Sequence, residues 1–128
     1  MTHLHGATDF LSLADLEFAQ RCFDALSKHW VDDGDRTGMH RPGYSDQETE
    51  AMDMICARAV EQGMEVYEDV AGNRFLVTRD GDDTLPVRLM GSHLDAVPQG
   101  GAFDGPAGVV AAITALRSTP DGAMTLSQ

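Results

Sequence analysis

Residues 91–105 constrain this chain more than any other stretch: Gly-Ser-His-Leu-Asp-Ala-Val-Pro-Gln-Gly-Gly-Ala-Phe-Asp-Gly. They follow a short apolar run at 87–91 that reads as a strand. They precede 105–117, GPAGVVAAITALR, which reads as a buried helix with Pro106 at its first position, where no amide hydrogen is needed. A strand that breaks into a glycine-rich polar loop and then a helix is where α/β folds build their sites. His93 and Asp95 are two apart, so in extended backbone their side chains share one side. One can then ligate a metal while the other acts beside it, as carboxylates do when they orient a metal-bound imidazole. Asp104 stands just before the helix and can return toward His93 through the glycine-rich turn. Spacing alone leaves a plainer alternative. A His-x-Asp triplet is common by chance, and an Asp before a helix is an ordinary N-cap. Two ligands also fall short of the three or four that zinc takes from protein.

The rest of the 128 residues frames this segment as an α/β layout of helices packed on a sheet. Leu13, Leu16, Phe18, Cys22, Phe23, Leu26 and Trp30 form an apolar stripe at helical spacing, predicting a helix over about 12–30 capped by Ser12 or Asp15. Residues 32–43 are rich in Asp, Gly and Pro and read as loop. Ser45 and Glu48 have capping-box spacing, predicting a helix to about Gln62 that stops at Gly63, with Met52, Ile55, Ala59 and Val60 inward. Strands follow at 64–69 and 74–79, with turns at 71–73 and 80–83. Residues 1–11 read as a flexible end, 12–117 as the folded part and 118–128 as a polar tail.

Charge narrows the function classes. Twenty-one acids against nine Lys and Arg give a net charge of −12, which excludes nucleic acid and anionic membranes as expected partners. No run approaches the ~20 apolar residues of a membrane span, and the first residues lack a signal-peptide pattern, so a cytoplasmic location is expected. Cys22 and Cys56 are expected as reduced thiols rather than a disulfide. His3 and His5 fall in an unpatterned end, and His29 reads as structural.

The stretch GSHLDAVPQGGAFDGPAGVVAAITAL closely resembles the first metal-binding block of a family of dinuclear-metal amidohydrolases. These are the N-carbamoyl-L-amino-acid hydrolases, allantoate amidohydrolases and β-ureidopropionases, related to aminoacylase and the zinc carboxypeptidases. The likeness extends upstream through Arg41-Pro-Gly-Tyr-Ser45 and Val70-Ala-Gly-Asn73, covering about residues 20–117. The resemblance implies the N-terminal part of a zinc-peptidase-like catalytic domain, with helices on a mixed sheet. It implies His93 as a terminal ligand, Asp104 as the carboxylate bridging two ions, and Asp95 as the catalytic-block acid that orients His93. It also implies a candidate cis peptide at Asp104–Gly105, and suggests Arg41 and Tyr44 as cleft-lining, substrate-binding residues.

The implied cofactors are two divalent ions, Zn or Mn, Co or Ni. The implied activity is amidase hydrolysis of a small amide or ureido substrate by a metal-bridged hydroxide. Ala96 and Pro106-Ala107 depart from the family pattern without removing a ligand. The family's Glu-Glu block and two later His ligands have no counterpart after Asp104, where Asp121 is the remaining acid. The chain is therefore expected to be a truncated N-terminal portion, inactive by itself, in which the homodimer of the full-length family is not expected. The alternative is an inactive product or a metal-binding interaction module.

Overall fold

The computed structural model describes residues 11–78, 88–118 and 124–127, with side chains assigned outside Arg88 and the last four. The proposed turn at 80–83, His3, His5 and Asp121 lie outside those residues. Helix α1 (Leu13–Leu26) starts at a complete capping box: Asp15 donates its amide to Ser12 Oγ at 3.1 Å and accepts from the Ser12 amide at 2.8 Å. It ends four residues earlier than the apolar stripe suggested. Ser27–His29 tighten into one 3-10 turn, and Trp30 opens β1 (Trp30–Asp32). Phe18, Cys22 and Leu26 are buried, whereas Leu13, Leu16 and Trp30 are exposed.

The stretch read as loop contains a strand. β2 (Thr37–Arg41) pairs antiparallel with β1, Trp30 opposite Met39 and Asp32 opposite Thr37. The turn between them is closed by Asp33, whose carboxylate accepts from the Arg36 amide at 2.9 Å and from its guanidinium. Helix α2 (Asp46–Glu61) has Ser45 as N-cap, accepting from the Glu48 amide at 3.2 Å. Glu48 does not complete the box. Its carboxylate accepts instead from the Tyr44 amide, because Tyr44 has a φ of 59° that turns its N–H toward the helix. Ala51, Ile55 and Ala59 face inward; Val60 is exposed. The chain leaves α2 through Gly63 at φ 83°, a conformation that disfavours any Cβ.

β3 (Glu65–Glu68) and β4 (Arg74–Val77) form the expected antiparallel pair. β5 (Arg88–Gly91) is the expected short strand, and β6 (Ala96–Gly100) is an unexpected one inside the loop. β6 leaves β5's sheet and pairs with β2, Arg41 opposite Ala96 and Met39 opposite Gly100, with a register shift between them. Helix α3 (Pro106–Ser118) follows, and β7 (Met124–Ser127) lies in the stretch read as polar tail. One sheet runs β1-β2-β6. The other runs β3-β4-β7-β5, antiparallel except for the parallel β7–β5 pair, so it is mixed as expected.

The three helices and the larger sheet close on one core. Phe18, Cys22 and Leu26 of α1, Ile55 and Ala59 of α2, and Val109, Val110, Ile113 and Leu116 of α3 meet Leu76 of β4 and Leu94. Each large aliphatic side chain removed from water contributes about 1.5–3 kcal/mol. A polar clasp ties the far ends of α1 and α3: the Arg117 guanidinium donates to Asp15 and stacks 5.2 Å over the Phe18 ring. Both cysteines are free thiols. Burial pushes Cys22 up to about 11, and it raises Cys56 as well, so neither is poised as a nucleophile.

Candidate functional site

The site grows from the change of sheets after β5. Gly91 ends the strand, residues 92–95 cross open backbone, and β6 turns toward β2. Leu94 anchors the crossing, buried to 1% exposure in the core. Its neighbours on either side, His93 and Asp95, project the other way, and their side chains remain about half exposed. The sequence alternation thus becomes a buried anchor flanked by two outward polar groups.

His93 is held by its Nδ1. That nitrogen lies 2.9 Å from Asp95 Oδ1 and 3.2 Å from the Asp95 carbonyl oxygen. Both partners only accept, so Nδ1 carries the proton and donates. The Nε2 lone pair is left outward, the arrangement a metal-binding imidazole needs. Asp104 Oδ1 stands 3.7 Å from Nε2, on a carboxylate whose side chain is 83% exposed. Two donors sharing an ion at ~2.0–2.2 Å stand roughly 3.3–3.6 Å apart at tetrahedral angles. At 3.7 Å the pair stands just beyond that spacing, and its imidazole and carboxylate are donors of the type divalent cations take. Among the described residues no cluster of three or more His, Cys, Asp or Glu side chains has metal-binding geometry.

The glycines make this approach possible. Gly105 has a φ of 84°, and a Cβ there would stand 2.7 Å from Nδ1 of His93 and closer still to its carbonyl oxygen. A Cβ on Gly108 would stand 2.7 Å from that of Ser92. The first turn of α3 is thus pressed against the His93 segment, with Asp104 at its lip. The Asp104–Gly105 peptide is trans, contrary to expectation; no cis bond occurs among the described residues. Gly105's positive φ turns the chain at this point.

Tyr44 and Arg41 part company. Tyr44 lines a cleft of about 470 Å³ together with Glu48, Asn73, Arg74, His93 and Asp95. Arg41 does not line it: its side chain is fully buried beneath the crossing, donating from Nε to the Leu94 carbonyl. β2 carries it inward, where a loop would have left it in solvent. Glu48, Asn73 and Arg74 were not anticipated as cleft residues. Glu48 carried a sequence signal through its capping spacing and Asn73 through the Val70–Asn73 likeness, while Arg74 carried none. Burial works against the Arg74 charge, but hydrogen bonds to Asp53, Cys56 and Glu68 outweigh it and hold its pKa above the ordinary value.

No family model matches the chain. Its fold superposes on a crystal structure of a hydantoinase/carbamoylase family amidase from Burkholderia ambifaria with a TM-score of 0.76 at 28% identity, covering 89% of this chain and 29% of that one. Over 81 residues it is 38% identical to an N-carbamoyl-L-amino acid amidohydrolase of Geobacillus stearothermophilus, 63% of this chain and 20% of that protein. The chain is similar in sequence and fold to part of the hydantoinase/carbamoylase amidases. A ureidoglycolate hydrolase of Oryza sativa is 32% identical over 103 residues, 80% of this chain and 21% of that protein. The chain thus spans about a fifth of the length of these amidohydrolase relatives. Among its described residues no helix is long and apolar enough to cross a membrane.

Proposed function

We propose that this chain supplies one wall of a divalent-metal amidase site acting on C–N bonds of N-carbamoyl-L-amino acids or related ureido acids such as allantoate. The observation that carries the proposal is the outward Nε2 of His93, fixed by Asp95 and facing Asp104 at 3.7 Å. The substrate class draws support from relatives named for N-carbamoyl amino acids and for ureidoglycolate. His93 and Asp104 would hold the cation, Zn or Mn, Co or Ni, since imidazole and carboxylate suit any of these. When bound, such ions supply Lewis acidity toward a carbonyl and activate water near neutral pH.

The chain's own part is then positional. Asp95 keeps the His93 proton on Nδ1, Gly105 brings Asp104 within reach, and Tyr44 borders the adjoining cleft. Two donors bind a metal weakly, and no described residue is assigned as general base. A single-chain catalyst is therefore not what the described donor set predicts.

Calorimetric titration with Zn2+ and Mn2+ tests the reading, run on the chain and on its His93→Ala and Asp104→Asn variants. It is paired with ammonia release from N-carbamoyl amino acids and allantoate. Metal uptake weakened by both substitutions, without turnover, is expected. Uptake that neither substitution alters removes the reading.

A further inference from the structure

Arg41 is the largest fully buried side chain in the described structure, and it lies outside the cleft. Its guanidinium reaches three separate segments. Nε donates to the carbonyl of Leu94, between His93 and Asp95. Nη1 donates to the Leu26 carbonyl at the end of α1, at 3.0 Å, and makes a long contact of 3.5 Å with His29 Nδ1. Arginine has no acceptor, so His29 Nδ1 accepts, and its Nε2 donates to Glu50 at 2.9 Å. Nη2 is buried with no hydrogen-bond partner among the described residues.

Such a residue is costly as core filler. A buried guanidinium with an unpaired nitrogen is disfavoured against an apolar side chain of similar volume. Its geometry is specific in return. The Cα of Arg41 is in register with Ala96, immediately after Asp95, while its side chain grips the carbonyl immediately before Asp95. One residue therefore fixes both flanks of Asp95, one through the strand pairing and one through the guanidinium.

We infer that Arg41 is a positioning residue for the His93–Asp95 pair, setting through the Leu94 carbonyl the backbone that aims Asp95 at Nδ1 of His93. It touches neither donor pair nor cleft, and its effect on metal binding is indirect. The importance of that pair rests on the metal reading; the positioning itself does not. Lysine is a poor substitute, because one ammonium lacks the fork that reaches Leu94 and Leu26 together.

The experiment is a long-range 1H–15N correlation of the His93 imidazole in the labelled, metal-free chain. Arg41→Lys and Arg41→Met are compared with Ile113→Val, which loosens the shared core without removing a hydrogen bond of Arg41. The expected result is a fixed Nδ1–H tautomer in the parent and in Ile113→Val, and averaged ring signals in both Arg41 variants. Folded Arg41 variants with the parent His93 spectrum would overturn the inference. If neither variant folds, the parent chain decides by scalar coupling across the Arg41 Nε–H to Leu94 carbonyl hydrogen bond: its presence supports the inference and its absence overturns it. Zn2+ titration of the same samples separates the two ideas. A parent chain that ignores Zn2+ removes the metal reading, and the tautomer comparison still decides Arg41's role. With Zn2+ present, Arg41→Lys is expected to bind at least tenfold more weakly than the parent.

Discussion

Gly105 lies directly behind the His93 ring, so closely that a Cβ on it would stand 2.7 Å from Nδ1. Its φ of 84° adds a second penalty for any L side chain. Gly105→Ala is expected to cost more than about 2 kcal/mol and to displace His93. A denaturant melt should show the loss of stability, and Zn2+ binding should be abolished even at temperatures where the variant is folded.

Asp95 meets His93 at Nδ1, on the side of the ring away from Nε2 and Asp104. Asp95→Asn keeps the size but can present an amide N–H to Nδ1, which releases the tautomer. Divalent-metal affinity is expected to fall about 10–100-fold with little change in melting temperature, because the side chain is half exposed. Calorimetry and thermal melts on the same sample check both halves of this expectation.

Acid should loosen the joint between α1 and α3. Hydrogen bonds from the Ser12 hydroxyl and amide hold the Asp15 carboxyl below its ordinary value, and Arg117 adds to them. A lowered carboxylate pKa means full stabilisation above the unfolded-state value of about 3.9, lost as pH falls through the folded-state value. Asp15→Asn is expected to cost about 1–2 kcal/mol at pH 6. The gap between variant and parent should narrow as melts are taken toward pH 3.

Tyr44 is held at φ 59° with its ring in solvent. Glycine adopts that conformation without strain, so Tyr44→Gly should leave stability unchanged or raise it by up to about 1 kcal/mol. A marked loss in the melt would mean that the ring makes contacts this structure does not contain.

The elements with a clean apolar period were legible in sequence: α2 with its stop at Gly63, the β3–β4 pair, and α3 from Pro106. What hid was tertiary. Thr37–Arg41 has no alternating apolar residues, and it is a strand because Trp30–Asp32 and Ala96–Gly100 pair with it from both sides. Ala96–Gly100 reads as loop for the same reason. Leu13 and Leu16 fit the stripe of α1 yet remain exposed, since periodicity records a face and not what covers it.

At the site, His93, Asp95 and Asp104 stood out as a cluster within twelve residues, their roles implied only by the family resemblance, and the structure places the three side by side. Arg41 was expected in the cleft and lies beneath it. The difference follows from an unrecognised strand, which reverses the direction its side chain takes.

The central claim is that His93 meets a cation through Nε2, opposite Asp104, with its proton kept on Nδ1 by Asp95. The most direct measurement is the imidazole 15N spectrum of the labelled chain during Zn2+ titration. The account predicts a large shift of His93 Nε2 with the proton retained on Nδ1, and a much smaller Nε2 shift in Asp104→Asn at the same Zn2+ concentration. A His93 spectrum that ignores Zn2+, or ligation through Nδ1, would contradict it.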